Sequence, residues 1–217
     1  TMAAADVLRI RIKGRQTHGS APWTGVDPIV VSAQVILGLQ TIVSRQIKTT
    51  AEPAVLSIGS ISGGNRFNII PEEVEMVGTI RTFDEDMRED IHRRIRLTAR
   101  NIAAAAGASA EVQIEKPYTV LINDPDLTQR MVPTLQRVAG PENVVLRDKS
   151  TGYEDFAFFA QQAPAVFVFL GGSPPETDLG TVAYNHSPRF LIDESALKLG
   201  VRTLTQMTLD YMDMHSE

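Results

Sequence analysis

The sequence contains no cysteine, which excludes disulfide bridges, thiolate metal ligands and cysteine nucleophiles. It also lacks a basic excess, because 21 Lys and Arg against 26 Asp and Glu give a formal net charge of −5. That balance argues against a nucleic-acid partner. No uninterrupted apolar run approaches the ~20 residues of a membrane span, so no membrane partner is expected. The first residues do not resemble a signal peptide. The location therefore stays open: the cytoplasm by default, or the periplasm if a signal peptide lies upstream.

An alternation of strand and helix patterns organises the first half of the chain. Leu8, Ile10 and Ile12 alternate with charged residues, which is the period of a half-buried strand. Helix starts are predicted at Asp27-Pro28 and at Asp84, where an acidic residue precedes the helical pattern. Residues 6–116 are therefore predicted to form a ferredoxin-like βαββαβ domain, an α+β fold whose antiparallel sheet leaves an edge exposed.

Residues 117–217 have a different pattern, typical of an α/β domain. The predicted elements are a helix from Asp124-Pro125, a short strand at 143–146, a helix at 154–162, a buried strand at 165–172 and a final helix from Asp193 to about Met212. Two or three strands are too few for a complete doubly wound sheet. We expect this half to be the C-terminal part of a larger α/β domain.

Four histidines are the first candidates for chemistry. His92 lies in a charged helix and His215 in the C-terminal tail, and both are predicted to be surface residues. His18 lies in the small-residue loop "GRQTHGSAPW", and His186 lies in the loop "YNHSPRF". A loop histidine can bond to the backbone or bind a metal. One histidine alone makes no metal site, because zinc takes three or four protein ligands.

Four segments in this order carry a resemblance: "GRQTHGSAPWTGVDPI", "GSISGGNRFNIIPEEVEMVGTIRTF", "GYEDFAFF" and "YNHSPRF". From Val7 to Met212 the chain resembles the second half of the amidohydrolase and aminoacylase metallopeptidases, which include hippurate hydrolases, N-acyl amino acid amidohydrolases and auxin-conjugate hydrolases. The resemblance implies hydrolysis of the amide bond of small N-acyl amino acids. It also implies a homodimer formed by a ferredoxin-like lid domain. The catalytic domain would hold two divalent metal ions, usually zinc and otherwise manganese, cobalt or nickel.

The same resemblance assigns roles to individual residues. It implies that His186 is a metal ligand and that His18 acts in trans, stabilising the oxyanion in the active site of the other subunit. Asn68 would approach the substrate across the dimer. Arg81 would bind the free carboxylate of the substrate, and the backbone at Gly152 would line the substrate pocket.

Two departures from the family pattern qualify these expectations. Tyr153 stands where the family has a smaller residue. The remaining metal ligands and the general base belong to the first half of the family, so the chain is expected to be an intact lid (6–116) and a C-terminal catalytic segment (117–217) that binds no metal pair alone. The alternative is a non-enzymatic dimerisation module. An RNA-binding unit with the same βαββαβ order is disfavoured by the net charge and the 6% aromatic content.

Overall fold

The computed structural model describes residues 1–174, 176–178 and 180–215. The chain divides into two compact units. The first unit contains residues 1–121 and 149–158, and the second contains residues 122–148 and the described residues from 159 onward. The predicted lid, 6–116, lies within the first unit, which also includes the later segment 149–158.

Four ten-residue strands form the main sheet of the first unit, and all neighbouring strands are antiparallel. The strands of the unit are β1 (Ala4–Lys13), β2 (Thr17–His18), β3 (Ala54–Gly63), β4 (Ile69–Ile70), β5 (Glu73–Thr82) and β6 (Ser109–Tyr118). The main sheet has the order β3-β5-β1-β6, and β2 pairs with β4 in a separate two-stranded ladder. This order and the intervening helices confirm the predicted ferredoxin-like fold.

Two helices cover one face of this sheet: α1 (Pro28–Thr41), continued by a π-helical turn at Ile42–Gln46, and α2 (Glu85–Ala105). Both begin where the sequence predicts. The Asp27 carboxylate accepts hydrogen bonds from two backbone N–H groups of the first turn of α1, and Asp84 does the same for Met87 in α2. After α2, Gly107 adopts a φ of 75°, the left-handed conformation that ends a helix.

The alternation in β1 determines which side chains meet these helices. Leu8, Ile10 and Ile12 are buried in the core cluster with residues of α1 and α2. On the opposite, open face of the sheet, Arg9 and Lys13 pair with glutamates of β6. These exposed ion pairs add little stability because water screens them. The sequence pattern of β1 therefore predicts both faces of the sheet correctly.

Residues 28–46 form a helix that is long and apolar enough to cross a membrane, judged by length and composition alone. The segment contains no long uninterrupted apolar run, because polar residues such as Ser32 and Gln34 lie within it. In the structure Val35, Leu39 and Ile42 are fully buried in the core cluster of the lid. Burial in this core accounts for part of this apolar character, whereas Val30 and Leu37 of the same helix are exposed.

One prediction about the lid is wrong: His92 is not a surface residue but is fully buried. Its Nε2 atom lies 2.6 Å from Oδ2 of Asp6, and Nε of Arg88 donates to Oδ1 of the same carboxylate at 3.1 Å. All three side chains of this Asp6 cluster are buried. Burial by itself would raise the pKa of Asp6, but the hydrogen bonds from His92 and Arg88 outweigh it and hold that pKa below its usual value.

The second unit contains two long helices, α3 (Pro125–Ala139) and, after the one-turn helix α4 (Ala157–Ala160), α5 (Ser195–Asp213). The N-cap at Asp124 and the position of α5 confirm the predictions for both long helices. Asp210 of α5 accepts hydrogen bonds from Thr134 and Arg137 of α3. Hydrogen bonds from Thr134, Gln206 and Arg137 lower the pKa of Asp210 to about 2.

Three predicted elements of this half are corrected by the structure. Residues 143–146 and 165–172 are not strands, and the helix predicted at 154–162 is reduced to α4. A strand needs hydrogen-bonded neighbours, whereas Ala165 and Phe167 bond to the loop residues Asn123 and Asp124. The predicted burial is absent as well, since Phe169 is 51% exposed.

Candidate functional site

The β2–β4 ladder brings two of the predicted site residues together. His18 pairs with Ile69 in this ladder, and the N–H of Gly19 donates to the carbonyl oxygen of Asn68 at 2.7 Å. His18 and Asn68 are separated by fifty residues of sequence, yet the β2–β4 ladder makes them neighbours in space. The structure therefore supports a shared location for these two residues.

The surroundings of His18 determine which nitrogen carries its proton. The backbone N–H of Ser20 donates to Nδ1 at 3.2 Å, and the hydroxyl of Ser20 lies 2.7 Å from the same atom. A backbone N–H can only donate, so Nδ1 must be an acceptor and neutral His18 carries its proton on Nε2. Within the described residues Nε2 makes no hydrogen bond, and the side chain is exposed. His18 thus presents a free N–H donor.

Arg81 lies on β5, on the open face of the main sheet. Its Nη1 atom donates to the hydroxyl of Thr79 and to the carbonyl oxygen of Ile80, the latter at 3.1 Å. Its guanidinium carbon lies 5.1 Å from the centre of the Tyr153 ring. Among the described residues, Nε and Nη2 make no hydrogen bond. These two parallel donors suit the two oxygens of a carboxylate.

Gly152 lies close to Arg81 because its segment returns to the lid. The N–H of Ala3 donates to the carbonyl oxygen of Gly152 at 3.0 Å, just before β1 begins, and Ala5 of β1 pairs with Arg81. The next residue, Tyr153, contacts Arg81 directly. The structure therefore brings the two predicted substrate-binding positions, Arg81 and Gly152, to one end of the sheet.

These two pairs lie at opposite ends of β1, one near Ala5 and the other beyond Lys13. Arg81 pairs with Ala5 near the start of β1, whereas the chain leaves the other end at Lys13 and continues to His18. From Ala5 to Lys13 is eight residue steps, or roughly 26 Å at ~3.3 Å per residue. A small amide substrate cannot touch Arg81 and His18 of the same subunit at once.

His186 lies in the second unit, in a turn closed by a hydrogen bond from the N–H of Ser187 to the carbonyl oxygen of Tyr184, 3.1 Å long. Its φ of 74° is the only positive value among the described residues other than glycine. A positive φ is uncommon outside glycine, although histidine adopts it more often than most residues, and strained backbone is concentrated at functional sites. The side chain is exposed.

The comparisons with known proteins address the family. Residues 6–106 match the model of the M20 peptidase dimerisation domain. The chain is 37% identical over 200 residues to thermostable carboxypeptidase 2 of Saccharolobus solfataricus, covering 92% of this chain and 49% of the relative. It is 33% identical over 208 residues to N-acetylcysteine deacetylase of Bacillus subtilis, covering 96% and 52%.

A solved structure agrees with these relatives. The fold superimposes with a TM-score of 0.74 on a dinuclear metal-binding peptidase of the M20 family from Bacillus subtilis, at 28% identity over 98% of this chain and 51% of that one. The chain belongs to the M20 family of amidohydrolases and metallopeptidases. The lid of this M20 chain is a peptidase dimerisation domain. The chain spans about half the length of the curated relatives it matches.

The metal pair associated with M20 enzymes can be tested against the donors of this chain. In the part of the chain that the structure describes, no group of three or more His, Asp or Glu side chains could hold a metal ion. His186 supplies a single imidazole, and each metal ion needs about three protein ligands. The described residues of this M20 chain therefore do not fit a metal pair by themselves.

Sequence reasoning missed two features of the M20 lid. The first is the Asp6 cluster, which the alternation of β1 could have revealed, because Asp6 shares the core face of Leu8 and Ile10 and a buried acid needs a cationic partner. The second is the stacking of Tyr153 on Arg81. No local pattern indicates that contact, because the two residues are distant in sequence.

Proposed function

We propose that this chain is part of a metal-dependent amidohydrolase that cleaves the amide bond of N-acyl amino acids. The observation that carries the proposal is a pair of donors that have no hydrogen-bond partner within the described residues: the Nε2–H of His18 and the Nε and Nη2 edge of Arg81. The first suits an oxyanion and the second suits a carboxylate. An N-acyl amino acid presents a carboxylate and, during hydrolysis, an oxyanion.

The names of the relatives support the same substrate class. One is a carboxypeptidase and another is an N-acetylcysteine deacetylase. Both names describe the cleavage of an amide bond. On this basis we propose an N-acyl amino acid as the substrate of this chain.

We propose that the active site is composite, with His18 and Asn68 of one subunit reaching the substrate bound by Arg81 and Gly152 of its partner. The roughly 26 Å of β1 between the two ends of the sheet is the main support, since one subunit cannot supply both ends to one small molecule. A two-fold dimer solves this problem because it places unlike ends of two identical chains together.

The charge distribution of the sheet indicates which edge forms the dimer. The β6 edge carries Glu111 and Glu115, which pair with cations of β1. The β3 edge has no charged residue between Ala54 and Gly63. Because charged residues protect edge strands from pairing, we propose that two copies of the lid pair through β3.

A matched pair of variants tests the choice of edge. Ile61 of β3 is exposed, so Ile61→Lys places a charge on the proposed interface without disturbing the core. Gln113→Lys places the same charge at an exposed position of the β6 edge, on the open face of the sheet. We expect light scattering to show monomers for Ile61→Lys and dimers for Gln113→Lys. The reverse result would assign the interface to β6, and monomeric wild-type protein at high micromolar concentration would contradict the dimer.

We propose that His186 is one ligand of the metal pair and that the other ligands and the general base belong to a part of the polypeptide outside residues 1–217. Zinc is the first expectation, followed by manganese, cobalt and nickel. The shortage of donors among the described residues and the half-length match to the relatives support this proposal. We expect the chain by itself to retain no stoichiometric metal and to show no turnover.

The function is tested by assaying N-acetyl and N-benzoyl amino acids with each metal, using the chain alone and the longer polypeptide. Hydrolysis by the longer form is the expected result. In that form His18→Ala should lower kcat by on the order of 10²–10³ with metal content unchanged, whereas His186→Ala should lose metal. Mixing the two inactive variants should restore activity, because each heterodimer can contain one complete composite site.

The alternative is a non-enzymatic dimerisation module, for which the match of the lid to a dimerisation domain is the specific observation. Elemental analysis and the assay separate the two. A dimeric longer polypeptide without metal or turnover would favour the module. Stoichiometric metal and turnover in residues 1–217 alone would contradict the proposed incompleteness of the site.

A further inference from the structure

Three neighbouring strands place Arg81, Ala5 and Tyr118 in one row across the sheet. Ala5 of β1 pairs with Arg81 of β5 on one side and with Tyr118 of β6 on the other. Ala5 contributes only a methyl group to this row. Since neighbouring strands lie ~4.8 Å apart, Arg81 and Tyr118 flank a gap of roughly 10 Å.

A β-bulge brings Tyr118 into this row on the open face. From Val7 to Ala5 of β1 is two residues, but the paired positions on β6 advance by three, from Glu115 to Tyr118. The extra residue lies at Lys116–Pro117, where proline is tolerated because the ladder is interrupted. Without the bulge, alternation would direct Tyr118 to the helix-covered face with Ile114. Bulges redirect side chains in this way beside functional sites.

The ring of Tyr153 fills the gap between Arg81 and Tyr118. Its centre lies 5.1 Å from the guanidinium carbon of Arg81 and 4.4 Å from the centre of the Tyr118 ring. The three groups form a stack, with the cation against an aromatic face. A smaller residue at position 153, as expected from the family pattern, would leave this gap open.

The stack and the hydrogen bonds of Arg81 together restrict its guanidinium group. Thr79 and Ile80 engage Nη1, and Tyr153 covers one face of the plane. Among the described residues, no group bonds to the edge with Nε and Nη2, and this edge is therefore open to a ligand. That edge donates two parallel hydrogen bonds, the geometry that selects a carboxylate over a carboxamide.

We propose that Tyr153 is a positioning residue that holds Arg81 for a free substrate carboxylate and thereby makes this enzyme selective for N-acyl amino acids over their amides. The proposal rests on the function proposed above, in which Arg81 binds the carboxylate. The aromatic ring performs the role, because it supplies the face against which the guanidinium stacks. The hydroxyl of Tyr153 is not required.

The test follows the side-chain Nε–H signal of Arg81 by NMR in the 217-residue chain, with Arg81→Lys to assign it. Wild type is compared with Tyr153→Phe, which keeps the ring, and with Tyr153→Leu, which keeps an apolar side chain but has no aromatic face. Each protein is titrated with N-acetylglycine and, as a control, with N-acetylglycinamide. The ring-current shift of the Arg81 signal reports the stack before any ligand is added.

We expect the Arg81 signal to carry a ring-current shift in wild type and in Tyr153→Phe, and to lose it in Tyr153→Leu. Binding of N-acetylglycine should weaken roughly two- to fivefold in Tyr153→Leu and remain unchanged in Tyr153→Phe, with no comparable response to the amide. Equal affinity in Tyr153→Leu, or equal loss in both variants, would overturn the proposal. If wild-type Arg81 does not respond to the carboxylate, the proposal fails whatever the hydrolysis assay shows, so the two failures are distinguishable.

Discussion

The helices of the lid and of the second unit have similar sequence patterns, but the burial of their side chains differs. In the lid, side chains from β1, β3 and β5 form one core with those of α1 and α2, including the fully buried Leu8, Met76 and Ile91. In the second unit, none of the side chains of α5 from Ser195 to Asp213 is buried. Amphipathic pattern therefore indicates a helix in both places, but only a partner surface converts that pattern into a core.

The difference extends to polar groups. The lid contains the buried Asp6 cluster, in which loss of the Asp6 carboxylate would deprive the buried side chains of Arg88 and His92 of a hydrogen-bond partner inside the core. In the second unit, the ion pair of Arg137 with Asp210 lies nearer the surface, and water can replace a lost partner there. Substitutions in the lid should therefore cost more stability than matched substitutions in the second unit.

Replacing Asp6 should have the largest effect on stability. We expect Asp6→Ala to destabilise the lid by about 3–5 kcal/mol, because the buried guanidinium of Arg88 would keep only the exposed Glu85 as a counter-charge and Nε2 of His92 would lose its buried partner. Urea unfolding followed by circular dichroism measures the effect. Glu111→Ala removes an exposed ion pair of the same sheet and is the control, for which we expect little change. Similar effects for both variants would contradict the contrast between buried and exposed pairs.

A pair of leucines tests the core directly. Leu8 in β1 is 0% exposed, whereas Leu204 in α5 is 66% exposed. Leu8→Ala should cost about 2–5 kcal/mol of unfolding free energy. Leu204→Ala should change it by less than about 0.5 kcal/mol. The same unfolding experiment measures both, and a large cost at Leu204 would show that α5 is covered in solution.

The pH dependence of the lid should follow Asp6. The carboxyl group has a lower pKa in the folded state than in the unfolded chain, so the folded state binds its proton only at lower pH. Its contribution is therefore fully present above the unfolded pKa of about 4 and is lost as the pH falls below that value. Unfolding of wild type and Asp6→Asn between pH 3 and 7 measures it. The difference in stability between the two proteins should shrink as the pH falls below about 4; a constant difference across this range would contradict the role of the carboxylate.

Helix caps should give the smallest effects and still distinguish the units. Asp84→Ala removes the cap of α2 in the lid and should cost about 1 kcal/mol of lid stability. Asp124→Ala removes the equivalent cap of α3 in the second unit. Hydrogen exchange should show that Asp124→Ala accelerates exchange in α3 alone and leaves the amides of β1 unchanged. Faster exchange in β1 would indicate that the two units unfold together.

Local sequence patterns predict the lid correctly, and the family resemblance supplies the candidate site residues. Alternation in β1, the caps at Asp27 and Asp84 and the stop at Gly107 are local signals, and each acts through backbone geometry that a few neighbouring residues define. The resemblance also identified His18, Asn68, Arg81 and Gly152, and the structure brings them together in two pairs. The strand predicted at 165–172 failed because local apolar character does not specify a hydrogen-bonding neighbour.

Features that depend on contacts between distant residues could not be predicted from local patterns and are seen only in the folded chain. His92 is buried because Asp6, 86 residues earlier, meets it across the interface of sheet and helix. Tyr153 contacts Arg81 because residues 149–158 return to the end of β1 where Arg81 lies, and the bulge in β6 places Tyr118 beside the same ring. The physical reason is common to both cases: burial and stacking are properties of pairs in space, and a sequence pattern reports only one member of each pair.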